Sequence, residues 1–193
     1  MWPWTHIMVG YLAFSMASHT VTRRPPTGLE TLLIVGAAPM PDLIDKPLAW
    51  QFQVFAGGYA LGHSIFVALP VTGLFIMWTA REGRARSGLA FGSSYLLHLV
   101  GDVATGGWAV RRILWPVVTS GRPHSSFVAG LRQNLEALAT TSGTLNMTPA
   151  LVGQLLIVLA TVGLWQADGR PGLGTLFRGL RRLAGRGENT KVP

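Results

Sequence analysis

Histidine and aspartate side chains recur in this chain at spacings that suit metal coordination. His98 and Asp102 are four residues apart in "HLVGD", and Asp42 and Asp45 are three apart in "PDLID". Residues at these spacings lie on one side of a helix, so each pair can direct its donor atoms toward one ion. The chain has no cysteine. Any metal site must therefore use nitrogen and oxygen donors, which suit zinc, manganese or iron.

Two further histidines lie in apolar surroundings. His6 is near the start of the first apolar stretch, and His63 follows a glycine in "GHS". Ionisable groups in apolar segments are costly unless they pair or line a hydrated cavity, so they indicate a functional site. We therefore predict a metal centre, whose candidate ligands are His6, Asp42, His63, His98 and Asp102.

Asp45 has several alternative roles. It can be a ligand, a general base, or a residue that orients a ligand histidine. It can also form a surface ion pair with the adjacent Lys46. His6 has an alternative as well, because a single histidine near a membrane interface is often only a hydrogen-bonded interfacial residue.

The composition of the 193-residue chain is typical of a membrane protein. Hydrophobic residues make up 49% and charged residues 12%, whereas soluble domains are about 25% charged. The formal net charge of +8 would suit nucleic acid if the basic residues formed a groove. They lie instead at the ends of apolar stretches. We therefore expect membrane lipids as partners and no nucleic acid.

Five apolar stretches predict membrane-crossing helices, which need about 20 apolar residues each. They cover residues 2–19, 28–41, 57–80, 88–105 and 149–166. Glycines four residues apart, Gly58 with Gly62 and Gly88 with Gly92, favour close packing of helices. The predicted fold is all-α, a polytopic membrane helix bundle with about five spans.

Basic residues predict the orientation of this bundle. They follow the first stretch, the third stretch and the fifth stretch, where the tail has five arginines and one lysine. Short connections rich in Lys and Arg stay in the cytoplasm. We therefore predict a multi-pass protein of the cell membrane with a cytoplasmic carboxyl terminus. The candidate ligands then share the extracytoplasmic face.

The ordered motifs resemble a known family. His6, "PDLID", "GHS", "HLVGD" and a later "WP" at Trp115 and Pro116 are similar to the pattern of the membrane-bound metal-dependent hydrolases, also called LexA-binding, inner-membrane-associated hydrolases. The resemblance covers roughly residues 1–120. It implies a membrane-embedded, hydrolase-like helical domain over residues 1–168, followed by a basic cytoplasmic tail over residues 169–193.

A more distant resemblance concerns the order of the ligands. The succession His, Asp, His and HxxxD is similar to that of the all-helical zinc phospholipase C and S1/P1 nuclease group, which cleaves phosphate esters with a zinc cluster. This likeness implies zinc-ligand roles for His6, Asp42, His63, His98 and Asp102. That group also uses its free amino-terminal residue as a metal ligand. In this chain we expect Met1 to be retained, because the bulky Trp2 follows it. Its later His and Glu ligands have only His124 and Glu136 as loose counterparts, so we expect one or two ions.

The expected function is hydrolysis of a phosphoester or related ester near the lipid headgroups by a metal-activated water. The expected cofactor is a divalent ion, zinc in the first place. Asp45 is the candidate catalytic residue. Arg111 and Arg112 are candidate substrate-binding residues, because guanidinium groups bind phosphate well. Snorkelling at the membrane interface also explains arginines at these positions.

Two other functions use the same residues. A metal ion or proton transporter needs polar residues that continue from the bilayer midplane to the second face, and the inner halves of these stretches are apolar. In a non-catalytic scaffold, the same side chains would only hold helices together. The purified protein would then contain no stoichiometric metal.

Overall fold

The computed structural model consists of helices joined by turns and loops. It describes residues 3–55, 57–104, 109–119, 128–129, 132, 136 and 149–188. The helices are α1 (Pro3–Val21), α2 (Gly28–Ala37), α3 (Met40–Trp50), α4 (Ile65–Arg81), α5 (Ala85–Ala104), a 3₁₀ helix (Ala109–Ile113), α6 (Pro149–Ala167) and α7 (Leu173–Glu188). The described residues include no strand, which confirms the predicted all-α class.

Helix α5 occupies the centre of the bundle. It packs against α1, α2, α3, α4 and the 3₁₀ helix, while α6 packs on α1 and α7 on α2. Two apolar clusters form the core between these helices. The first contains Tyr11, Phe14, Ile34 and Ala90, and the second contains Ala37, Ala68, Tyr95 and Leu99. Both clusters include residues of α5, so its position fixes that of its neighbours.

Glycines bring α5 close to α4, as the sequence predicts for Gly88 and Gly92. A Cβ atom at Gly88 would lie 2.8 Å from the Ile76 Cα and 2.1 Å from the Thr79 Oγ1. Real Cβ atoms do not approach other atoms so closely. The two helix backbones therefore touch at Gly88, where no larger residue fits without displacing α4.

Small hydroxyl residues fill much of the interior, and large apolar residues face outward. Thr72 and Ser94 are buried, and their hydroxyls donate to the carbonyl oxygens of Ala68 at 2.6 Å and Ile34 at 3.1 Å. Exposed apolar side chains cover α4 and α6, namely Phe66, Leu69, Leu74, Trp78, Leu156 and Leu159. Apolar exteriors on these two helices suit contact with other molecules or lipid.

None of the helices in the described part of the chain combines the length and the apolar character needed to cross a membrane. The prediction of about five spans is therefore not confirmed. Helices nevertheless lie over the first, fourth and fifth apolar stretches, as α1, α5 and α6.

The "PDLID" segment is helical, whereas the sequence predicts that it opens the connection "PDLIDKPLAWQFQVF" between the second and third apolar stretches. Helix α3 forms over Met40–Trp50. Pro41 favours its first turn, because proline there loses no helical hydrogen bond and its φ is already helical. Asp42 and Asp45 are therefore one helical turn apart and start from a rigid element.

The third apolar stretch starts as a loop, contrary to the predicted span over residues 57–80. Helix α4 begins only at Ile65, and residues 51–64 contain Gly57, Gly58 and Gly62 outside any helix. Glycine disfavours helix by about 1 kcal/mol relative to alanine. The prediction that His63 lies inside a helix is therefore wrong, as is helix packing through Gly58 and Gly62.

Alanine at Gly88 tests the contact between α4 and α5. We expect Gly88→Ala to lower the free energy of unfolding by about 1–3 kcal/mol, because the added methyl group overlaps the α4 backbone. Gly73→Ala in α4 is the matched control, since open space surrounds that position. Thermal unfolding of the purified protein in detergent measures both changes. Equal melting temperatures for the two variants would contradict the close approach.

Candidate metal centre

Four elements bring the predicted ligands together. His6 comes from α1, Asp42 from α3, and His63 from the loop before α4, while His98 and Asp102 lie one turn apart in α5. The three histidines and Asp102 are buried, and Asp42 is partly buried. The cluster thus lies inside the bundle and reaches the surface through Asp42.

Two imidazole nitrogens lie at the middle of this cluster. The Nε2 atoms of His63 and His98 are 3.2 Å apart. The His63 Nε2 is 3.5 Å from the Asp42 Oδ1 and 3.5 Å from the Asp102 Oδ2, and the His98 Nε2 is 4.0 Å and 3.8 Å from the same oxygens. Ligand atoms at roughly 2.0–2.1 Å from a tetrahedral zinc are roughly 3.4 Å apart. The spacing therefore fits donors that share one ion.

His6 extends the cluster beyond His98. The two rings stack with centroids 3.9 Å apart, and the His6 Nε2 lies 3.4 Å from the Asp102 Oδ1. Two sets of three donors can each hold an ion, and they share His98: Asp42, His63 and His98 in the first set, and His6, His98 and Asp102 in the second. The buried Nδ1 of His98 has no hydrogen-bond partner among the described residues. These residues fit one divalent ion or two, and their donor types leave its identity open.

Asp45 lies behind His63, on the side away from the cluster. Its side chain is fully buried, and its Oδ2 accepts a hydrogen bond from the His63 Nδ1 at 2.8 Å. The carboxylate also accepts the backbone N–H groups of Ala60 at 2.7 Å, Gly62 at 2.7 Å and His63 at 3.0 Å. Burial alone would raise the pKa of Asp45, but the hydrogen bonds from His63, Gly62 and Ala60 lower it.

The contact with Asp45 determines what His63 offers to the cluster. An ionised carboxylate only accepts hydrogen bonds, so the Nδ1 of His63 carries a proton and the Nε2 points toward Asp42 and Asp102. A carboxylate bound to the far nitrogen of a ligand histidine fixes the orientation of its ring. The geometry favours this orienting role for Asp45 over the roles of ligand and general base.

Lys46 pairs with Asp42, whereas one alternative that the sequence left open was an ion pair with Asp45. Its Nζ lies 2.7 Å from the Asp42 Oδ2 and 5.9 Å from the centre of the Trp50 ring. The predicted alternative of a surface ion pair between Asp45 and Lys46 is therefore wrong, because Asp45 faces inward. The spacing of four residues between Asp42 and Lys46 was the available signal.

The same contacts keep Asp42 ionised. Burial alone would raise the pKa of Asp42, but the hydrogen bond from His63 and the charge of Lys46 outweigh it and lower the pKa to about 2. Asp42 therefore presents a negative charge at the mouth of the cluster throughout the neutral range.

The remaining candidates follow α5 in the chain. Arg111 and Arg112 belong to the 3₁₀ helix; Arg111 is exposed, and the side chain of Arg112 is outside the described part. Glu136 forms an exposed ion pair with Arg132 at 2.6 Å, and His124 lies outside the described residues.

The "WP" motif is adjacent to "GHS", since the carbonyl oxygen of Trp115 accepts a hydrogen bond from the Ser64 hydroxyl at 2.5 Å.

Comparison with known proteins identifies a matching family. Residues 1–170 match the family model described as YdjM inner membrane protein. The chain belongs to the YdjM inner membrane protein family. No curated protein and no solved structure shows significant similarity to it. Membership of the YdjM family supports the predicted membrane location. The orientation of the chain in the membrane, its hydrolase activity and its likeness to the S1/P1 nuclease group remain predictions.

Metal content tests the candidate centre of this YdjM family member. We expect the purified protein to bind a divalent ion and His98→Gln to lose it, because His98 belongs to both donor sets. His19→Gln is the matched control, since His19 is at the other end of α1 and bonds Asp168 at 2.6 Å. Mass spectrometry of metals after dialysis measures all three proteins. Equal metal in the two variants, or none in the unaltered protein, would refute the centre.

Substitution of Asp45 tests its orienting role. Asp45→Asn places an amide where four N–H groups now find a carboxylate, so His63 loses its fixed orientation. We expect metal affinity to fall by roughly 10–100-fold, as for other groups that orient a ligand. Isothermal titration with zinc measures the affinity, and circular dichroism checks that the helices persist. His19→Gln serves as the control, because His19 contacts Asp168 at the other end of α1. An Asp45→Asn affinity equal to that of the unaltered protein would exclude the role.

Proposed function

We propose that this protein is a metal-dependent hydrolase that cleaves a phosphoester or related ester near the lipid headgroups. The main support is the approach of the His63 and His98 Nε2 atoms to 3.2 Å, with Asp42 and Asp102 beside them. Two imidazoles and two carboxylates so close together form a donor set that suits a divalent cation. The convergence of these donors from three elements supports a bound ion.

Each residue of the cluster has a defined task in this proposal. A divalent ion held there supplies Lewis acidity, which activates water and offsets charge on the departing oxygen. His63, His98, Asp42 and Asp102 hold the ion, with His6 as a ligand of a second ion. Asp45 keeps the His63 ring in place and excludes its rotation.

The mouth of the cluster is suited to an anionic ester. Asp42 and Lys46 are the partly exposed members, at 15% and 25% of their side-chain surfaces, so a substrate reaches the ion past them. The Lys46 ammonium group can contact a phosphate oxygen as a point charge. Arg111, in the 3₁₀ helix that packs on α5, is a second candidate for this contact.

The surroundings support a substrate that resides in the membrane. The family is one of inner membrane proteins, and large apolar side chains cover the outside of α4 and α6. A phospholipid or lipid-linked phosphate therefore reaches the protein more readily than a soluble ester. In this proposal the site faces the extracytoplasmic side and the carboxyl terminus is cytoplasmic, in keeping with the basic connections.

Contacts along α4 favour hydrolysis over transport. A transporter needs polar groups that continue away from the site. The buried hydroxyls of Thr72 and Thr79 instead donate to carbonyl oxygens of their own helix, those of Ala68 and Phe75, at 2.6 Å and 2.9 Å. These hydroxyls are occupied in the helix and do not extend the cluster.

Hydrolysis of two substrate types tests the proposal. Protein loaded with zinc or manganese is mixed with a chromogenic phosphodiester and, separately, with phospholipid in detergent micelles, and released product is measured. We expect Asp42→Asn to lower the rate by at least about 100-fold, because it removes a charged ligand. His19→Gln should keep the full rate.

The same preparations separate the alternatives. Metal uptake into protein-containing vesicles without product release from either substrate would support a transporter and overturn the hydrolase. Product release that is equal in Asp42→Asn and the unaltered protein would assign the activity to a contaminant. Preference for phospholipid over the soluble diester supports the membrane substrate.

A further inference from the structure

The last helix differs in pattern from the rest of the bundle. Helix α7 (Leu173–Glu188) begins after the matched residues 1–170. Its apolar residues recur at helical spacing, at Leu173, Leu176, Phe177, Leu180 and Leu183. Four arginines and a single acidic residue accompany them, in order Arg178, Arg181, Arg182, Arg186 and Glu188. The helix is therefore amphipathic, with a basic polar side.

Helix α7 meets the bundle through its small residues and not through its apolar stripe. Thr175 touches Gly28 of α2 so closely that a Cβ atom at Gly28 would lie 2.2 Å from the Thr175 Oγ1. Gly172, just before the helix, lies against Thr31 of α2. Thr175 is on the side of the helix roughly opposite the stripe. The contact with α2 thus turns the apolar stripe away from the protein.

The stripe is exposed as a result. The side chains of Phe177 and Leu180 are 59% and 52% exposed, and Leu173 and Leu176 are exposed to a similar extent. Arg178 and Arg181 are exposed as well. A continuous apolar stripe open to the outside requires a partner, because scattered single residues do not form such a pattern.

The charge of the helix identifies that partner. Apolar side chains with arginines on the other side are the arrangement of helices that lie in the membrane interface, where arginines reach anionic headgroups while the stripe enters the acyl boundary. The protein belongs to an inner membrane family, so such a surface is at hand. A protein partner would need a groove lined with acids. A second copy of this chain is a poor match, because its net charge is +8.

We propose that α7 lies in the plane of the membrane interface and binds anionic lipid through its apolar stripe and arginines. The contact of Thr175 with Gly28 holds the helix beside α2 in the required orientation. This proposal rests on α7 and α2 alone and is independent of the metal centre.

Single-cysteine labelling of the full chain tests the proposal, because the protein has no cysteine of its own. Leu180→Cys places an environment-sensitive fluorophore in the stripe. Gly179→Cys is the matched control, one residue away in open space and outside the stripe. Both proteins are reconstituted in phosphatidylcholine vesicles with and without roughly one third phosphatidylglycerol, and lipids that carry a nitroxide in the acyl chain quench the fluorophore.

We expect quenching at position 180 to exceed that at 179 by about twofold or more in the anionic vesicles. Replacing Arg178 and Arg181 by glutamine in the Leu180→Cys protein should lower the ratio of bound to released helix by roughly fivefold per arginine, whereas lysine at both positions should restore it. Salt should also weaken the quenching, because it screens the attraction between the arginines and the anionic lipids.

Two results would overturn the proposal. Equal quenching at positions 179 and 180 would show that the stripe does not enter lipid. The fluorophore at position 180 could instead be shielded from water without phosphatidylglycerol, to an extent that rises with the ratio of protein to lipid. That result would assign the stripe to a second copy of the chain. Circular dichroism of the same samples shows that the labelled proteins are folded.

Discussion

The buried carboxylate of Asp45 is the interaction on which the metal centre depends. Residues 60–63 have no helical partners for their N–H groups, and buried N–H groups without partners are costly. Asp45 satisfies three of them and the His63 ring in addition. One side chain of α3 therefore shapes the loop, orients His63, and leads the chain into α4 at Ile65. The price of burying the carboxylate is offset by these four donors.

A second carboxylate that accepts several hydrogen bonds holds α1 at the end opposite to His6. Asp168 follows α6 and accepts hydrogen bonds from the hydroxyls of Tyr11 at 2.7 Å and Ser15 at 2.6 Å, and it contacts the His19 Nε2 at 2.6 Å. These contacts hold α1 against α6 over three turns. Polar contacts position the helices, and the small residues between them allow close packing.

How far the sequence predicts this fold differs from one helix to the next. Helices α1, α5 and α6 follow from long apolar stretches with clear ends. The prolines of residues 39–47 suggested a connection, although Pro41 starts α3. The apolar composition around His63 suggested a continuous helix, although the hydrogen bonds to Asp45 impose a loop there. At the loop the outcome depends on a residue 15 to 18 positions away, which local patterns do not contain.

The sequence alone determined the donor types, the absence of thiolate ligands, the pairing of His98 with Asp102 on one helix face, and the basic amphipathic tail. These properties depend on residues within a few positions of one another, where helical periodicity is sufficient. Only the tertiary structure decided that Asp45 supports His63, that Lys46 pairs with Asp42, and that the stripe of α7 faces outward. Each of these depends on which groups meet across a packed interface, because a buried polar atom takes the partner that the fold brings to it.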